Sequence, residues 1–534
     1  MNVKQGALVA AILGTTVVSV DATVINVALP AIGDDLGGGL AGQQWVVNAY
    51  LLTLAALILI AGSLADLFGE RRVFSLGVAA FGVTSVLCAA APTIEVLVAA
   101  RALQGVSGAL LTPAALAILI AVFPPGERGK AIGTWTAWGG VGMLLGPVLG
   151  GQIVDATSWR VVFAINVPLV LGTLAVAARY VPEGARRSAA GPRPHVDVRG
   201  AALCALGLAG PTFALIQQPT YGWGSPAVVV GLLGGLALFA AFLRHEGRAR
   251  EPMLPLGLFD RPNFRWGNVE TLSMYGGLAI FILFVGLFLQ QVAGYSALKA
   301  GTIGLVPTGM MFLLSRRFGA LADRYGPRLF MGLGPFVVAA GFLAMLRLDE
   351  EVSFAGDLLP ALLLFSLGIA ITVSPLTAAV LADAEESNAG IASAVNNAVA
   401  RTAGLLATAA VGAALAASYA SGVERNLEGT ALAPESAALV ERAKDRALNV
   451  PDVGALPARD RPVVVEATQA AAIDAFHLGM LIAAALLAVG GLIGLLKIRN
   501  PEPGDVRCAD CPGGQLAGAP LEVADVPRRE PAPA

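Results

Sequence analysis

Long apolar runs separated by short polar clusters dominate the chain, and their lengths set the first expectation. A helix that crosses a bilayer needs about 20 mostly apolar residues. Runs meeting this criterion cover residues 6–28, 44–63, 73–91, 95–121, 131–154, 160–180 and 199–217. They continue at 224–243, 267–292, 299–315, 328–347, 353–376, 389–418 and 474–497. The pattern predicts an all-α polytopic membrane protein with about fourteen spans. An even count puts both termini on one side. The first run lacks a small-residue cleavage site, so it is read as a retained span and not as a removed signal.

The polar clusters orient these spans. Lys and Arg gather in alternate loops, at Arg71 and Arg72, Arg128 and Lys130, Arg186 to Arg199, Arg244 to Arg265, and Arg316 to Arg328. The intervening short loops hold little beyond Arg160, Lys299 and Arg347. By the positive-inside bias the basic loops and both termini are cytoplasmic. Two basic loops are near-copies: residues 62–72 read GSLADLFGERR and residues 319–329 read GALADRYGPRL. Gly62, Asp66, Gly69 and Arg71 match Gly319, Asp323, Gly326 and Arg328, with Arg72 closing the first copy. If these hairpins follow spans 2 and 10, the chain is two six-span bundles with spans 7 and 8 inserted.

The expected divisions are 1–180, a first bundle, and 181–266, a connector holding two inserted spans. Residues 267–497 form the second bundle, with an extracytoplasmic segment at 419–473, and 498–534 are a Pro- and Gly-rich disordered tail.

Composition narrows the functional classes. Only 13% of the 534 residues are charged and 56% are hydrophobic, against roughly 25% charge in soluble domains. A net charge of -2 offers no surplus to neutralise phosphates, which excludes a nucleic-acid partner. The expected partners are a small-molecule substrate, protons and the lipid bilayer, with a monomer as the working unit. No phosphate loop of the G-x-x-x-x-G-K-[ST] type is present, which argues against ATP hydrolysis. The three histidines and the isolated Cys508/Cys511 pair give no metal set, so no metal, no cofactor and no enzyme activity are expected.

Ionisable groups inside a bilayer are costly and carry a functional expectation. Asp21 in span 1 and Arg101 in span 4 both lie about 10 Å below the outer surface by helix rise. Matched depth makes an ion pair possible, as a structural tie or as a proton-carrying acid tuned by a cation. Arg101, Gln104, Gly105 and Gly108 share one helical face. Thr15, Ser19, Thr23 and Asn26 form a stripe on span 1, read either as cavity lining or as hydroxyls bonded to backbone. Span 5 repeats Gly142, Gly146 and Gly150 with Pro147 between them, a face for close packing or for shear. Arg401, beside Asn396 and Asn397, is the deepest cation of the second half, and Glu270 is read as an interfacial, solvated carboxylate. Asn26, Gln104, Asn397 and Arg401 are the candidate cavity residues.

Together these segments resemble the major facilitator superfamily, and within it the fourteen-span drug:proton antiporter (DHA2) family. The resemblance rests on GSLADLFGERR, VDATVINVALP (20–30), RALQGVSG (101–108) and GGVGMLLGPVLGG (139–151), with SWRVVFAINVP (158–168) and LQQVAGYSALKAG (289–301). Phe68, Glu70 and Pro327 depart from the family's usual hairpin. The resemblance implies proton-driven efflux of small amphiphilic molecules across the plasma membrane by alternating access. It implies proton coupling at Asp21 and Arg101, and a conformational switch at Gly62, Asp66, Gly69, Arg71, Arg72 and Asp323. Export of a dedicated metabolite, uptake, and a non-transporting membrane sensor are the alternatives.

Overall fold

A computed structural model describes residues 2–183, 197–249, 252–382, 389–444, 447–448, 451, 453–454 and 456–500. His195, Cys508, Cys511 and the side chain of Asp66 lie outside the described residues. Regular structure among the described residues is entirely helical. The first six long helices are α1 (Val3–Leu36), α2 (Gly39–Phe68), α3 (Glu70–Ala89), α4 (Ile94–Val122), α5 (Pro125–Ala156) and α6 (Trp159–Tyr180). Next come α7 (Val198–Tyr221) and α8 (Pro226–Glu246). The second set is α9 (Pro262–Gln291), α10 (Ala297–Tyr325), α11 (Pro327–Arg347), α12 (Phe354–Ala382) and α13 (Ala389–Asn426). A short α14 (Pro434–Lys444) precedes the last span, α15 (Arg461–Lys497).

Thirteen of these helices are long and apolar enough to cross a membrane. The remaining one of the expected set is α2, a 30-residue helix carrying the run LLTLAALILIAG. Most helices outrun their apolar cores by several residues. The largest difference is at α15, which starts at Arg461 and not near 474. Pro462 occupies the first turn, where its missing N–H costs nothing, and the Ala-rich stretch after it favours helix. The segment between the last two spans is therefore 427–460, shorter than the expected 419–473, and α14 lies within it.

The two hairpin copies adopt matching geometry. Gly69 (φ 92°) and Gly326 (φ 85°) each end one helix and begin the next in a left-handed conformation that favours glycine. Arg71 Nη2 donates to the Ala178 carbonyl at 3.0 Å, and Arg328 Nε donates to the Leu495 carbonyl at 2.6 Å. Each arginine thus meets the C-terminal end of the last long helix in its own set, where free carbonyls and the helix dipole favour a cation.

The polar stripe of α1 faces the glycine stripe of α5. Thr15 accepts from Trp135 Nε1 at 2.7 Å, Ser19 lies against Gly142, Thr23 against Gly146, and Val24 and Val27 against Gly150. Thr23 Oγ1 also donates to the Ser19 and Val20 carbonyls within its own helix. These hydroxyls line a helix interface. The adjoining face of α5 meets the second set of helices: Gly301 packs on the Pro147 carbonyl and Gly151 on Ala297 and Leu298. Asp155 then accepts from the Ala297 and Leu298 amides at 3.1 and 2.9 Å, capping the start of α10. Gln44 donates to the Thr408 carbonyl at 2.6 Å, and Thr408 Oγ1 donates to Asn48 at 3.0 Å. These cross-set bonds lie in the half of the molecule opposite the basic hairpins.

Asp460 ties down this inter-span segment. It accepts from the Ala433 amide at 2.9 Å and from Ser436 Oγ at 2.7 Å, with Arg459 Nε at 3.1 Å. The Ala433 amide, then the Ser436 hydroxyl, hold its carboxyl below the usual carboxylate range. A lowered native pKa adds stability above the unfolded value, and that stability is lost as pH falls through the native one. Acidification is expected to speed hydrogen exchange at Ala433 relative to the spans. Asp460→Asn should flatten that dependence, as read by exchange mass spectrometry between neutral and acidic pH.

Candidate functional site

One sealed polar cluster stands out inside the first six helices. Asp21 of α1 and Arg101 of α4 are 0% and 1% exposed and form an ion pair at 2.6 Å between Oδ2 and Nη1. Asp21 Oδ1 and Arg101 Nε and Nη1 all find further partners. Asp21 Oδ1 accepts from Gln104 Nε2 at 3.0 Å and from Asn166 Nδ2 at 2.9 Å. Arg101 Nε donates to the Val46 carbonyl of α2 at 3.1 Å, and its Nη1 also reaches Gln104 Oε1 at 2.7 Å. Gln104 and Asn166 both donate to Ser85 Oγ of α3, at 2.9 and 3.3 Å. The guanidinium lies 4.4 Å from the Tyr50 ring centroid, within cation–π range.

Local sequence explains this convergence. Arg101 and Gln104 are three residues apart on α4, so both point to one face. Gly105 lets α4 approach α2 until Thr53 Oγ1 donates to the Ala102 carbonyl at 2.8 Å. The backbone contact brings the Val46 carbonyl within reach of Arg101. The arrangement holds one acid in a buried network in which a guanidinium and two amides donate to it.

The sequence profile of the Major Facilitator Superfamily matches residues 11–408. The chain belongs to that superfamily. Relatives with similar sequence are exporters and resistance proteins. The tetracenomycin C resistance and export protein of Streptomyces glaucescens is 35% identical over 77% of this chain and 75% of its own. The puromycin resistance protein of Streptomyces alboniger is 35% identical over 75% and 80%. The multidrug resistance protein Stp of Mycobacterium tuberculosis is 33% identical over 79% and 78%. Among solved structures, a bacterial homologue of the human lysosomal transporter Spinster aligns with a TM-score of 0.61 at 18% identity. That alignment covers 93% of this chain and 99% of the other, a likeness of fold. The protein is a multi-pass membrane carrier of small molecules.

In this superfamily member the other candidate residues are dispersed. Asn26 donates to the Ala22 and Thr23 carbonyls of its own helix, and exposed Asn397 donates to Ser393. Gln104 belongs to the sealed cluster. Arg401 is half-buried, and its Nε is enclosed without a partner. Arg72 and Asp323 are exposed, and Gly62 has open space around it. Gly142, Gly146 and Gly150 pack on α1, while Pro147 offers its carbonyl to Gly301. Glu270 differs from its expectation: it is 0% exposed and so not an interfacial, solvated acid. Although it is near the start of α9, that helix is enclosed by α12, α13 and α15.

Ser85, Tyr50 and Asn166 were not singled out from sequence. Asn166 had a signal, a lone amide in the apolar run of SWRVVFAINVP; Ser85 and Tyr50 had none. Asn166→Leu keeps the volume but takes one donor from Asp21, and losing a partner in a buried network costs about 1–3 kcal/mol. A lower thermal unfolding midpoint in detergent is expected. An unchanged midpoint would remove Asn166 from the network.

Proposed function

We propose that the protein exports apolar or amphiphilic small molecules in exchange for protons, with Asp21 as the exchanging acid. The sealed Asp21–Arg101 pair carries this reading. Protonating Asp21 removes the charge that holds Arg101, so the proton and the paired arginine compete for one carboxylate. A conformation that opens the cluster favours the protonated acid, and one that seals it favours the ion pair. A ligand shifts such a balance only by its different affinity for the two states. Substrate bound from the cytoplasmic side supplies that difference in one direction and external protons supply it in the other.

The arrangement of loops supports the direction of transport. With Lys and Arg loops and both termini cytoplasmic, the cross-set bonds of Asp155, Gln44 and Thr408 close the extracytoplasmic side. An exporter closed on that side loads from the cytoplasm. The relatives, antibiotic and multidrug resistance proteins, favour export of drug-like molecules. The proton gradient across the plasma membrane is the energy source.

Asp21→Asn keeps the size and the acceptor oxygen but cannot cycle a proton. Inside-out vesicles carrying this variant should insert it normally yet accumulate a fluorescent cationic dye no faster than empty vesicles when a pH gradient is imposed. Wild-type rates in the variant would refute the assignment.

A further inference from the structure

α9 holds a second buried acid that the exchange at Asp21 leaves unused. Glu270 is 0% exposed, and neither carboxyl oxygen has a hydrogen-bond partner. Its level in the bundle is set by its neighbours on α9. Gly267 lies against Leu376 and Val380 of α12, and Ser273 donates to the Leu486 carbonyl of α15 at 2.7 Å. Asn396 of α13 donates to Asn268 and Thr271 at 3.1 and 2.9 Å. All of these facing groups are neutral.

Charged groups on the same elements stand away from it. Arg401 is five residues beyond Asn396 on α13, and Lys497 of α15 sits over Trp266, one turn before Glu270. Arg265 lies over Trp266 as well, Asp260 ends the turn at Leu256–Asp260, and Asp357 of α12 is at that helix's far end. None of them pairs with Glu270.

The two acids therefore sit in opposite enclosures. Asp21 receives three donors, one of them a guanidinium, which is an enclosure built for a carboxylate. Glu270 receives none, and an unpaired buried ion is strongly disfavoured. Its enclosure suits the neutral acid. We propose that Glu270 is a second proton-binding site of the transport cycle, loaded from the same side as Asp21 and still loaded in this conformation, in which Asp21 has already released its proton. This rests on the proton-coupled reading of Asp21. Release breaks the Glu270 O–H bond and passes the proton to cytoplasmic water when α9 moves. α9 has the means to move: Gly276 and Gly277 precede a π-helical turn at Phe281–Val285, a feature common at functional sites.

Infrared spectra of the purified full-length protein in neutral buffer test the loading directly. The wild type should show a protonated-carboxyl C=O band that Glu270→Gln lacks; identical spectra would overturn the proposal. Proteoliposomes exchanging a monovalent cationic dye test the role. Glu270→Gln should keep pH-driven exchange, but the proton-to-dye ratio roughly halves and the rate loses its response to membrane potential. Glu270→Leu, an apolar replacement suited to this enclosure, should behave likewise. An unchanged ratio in a folded Glu270→Leu would mark the acid as structural and sink the idea. Failure of the underlying Asp21 reading shows separately, as normal pH-driven transport by Asp21→Asn.

Discussion

The Asp21–Arg101 pair imposes the strongest physical demand in the structure. Removing two ions from water carries a penalty of several kcal/mol each, which their attraction offsets only when the leftover hydrogen-bonding capacity is also filled. Filling it here recruits five helices. α4 supplies Gln104, α6 supplies Asn166, α3 supplies Ser85, and α2 supplies a backbone carbonyl and the Tyr50 ring. None of these helices can shift far while the pair is intact, since breaking a buried pair by loss of one partner costs about 3–5 kcal/mol. The first six helices are thus fastened at one point.

Movement at that point reaches the rest of the molecule through α1 and α5. One face of α1 presents Asp21 to the cluster; another lays Thr15, Ser19 and Thr23 along the glycine stripe of α5. Small residues remove the side-chain cushion, so backbones meet and a shift of α1 moves α5 with it. α5 in turn carries Pro147, Gly151 and Asp155 against the start of α10. The path from acid to cross-set contact is a chain of backbone-close packing, in which little displacement can be absorbed by side-chain rearrangement.

Much of this was legible in the sequence because it obeys simple periodicities. Apolar runs located the spans, and the repeated GSLADLFGERR and GALADRYGPRL fixed two glycine-turned hairpins whose arginines make equivalent contacts. Asp21 and Arg101 were visible because charge in an apolar run is rare. Ser85 and Tyr50 were not, since a hydroxyl in a membrane helix is usually bonded to its own backbone and its outward role depends on which helix packs beside it. The same reason turned the Thr15–Ser19–Thr23 stripe into a helix interface. Glu270 was misread because linear distance from a span end says nothing of whether neighbouring helices enclose that end. The start of α15 was misplaced because helix propensity outside the bilayer, carried by alanine, is not measured by hydropathy.

The energetics of switching follow from where the strong and weak contacts lie. Both hairpin arginines bind carbonyls within their own set of helices, so a rocking motion leaves them intact. Asp21 and Arg101 are likewise within one set. What a rocking motion must break is the cross-set group: Gln44 to Thr408, Thr408 to Asn48, and two amides on Asp155. Net contributions of about 0.5–1.5 kcal/mol per hydrogen bond make this group worth a few kcal/mol. Coupling energies of about 1–3 kcal/mol are typical of a ligand acting on a second site, and a few such contributions from substrate and protons match the cost. Strong interactions preserve each bundle, and weak ones choose between its two arrangements. A carrier that placed its buried ion pair across the interface would be locked by it.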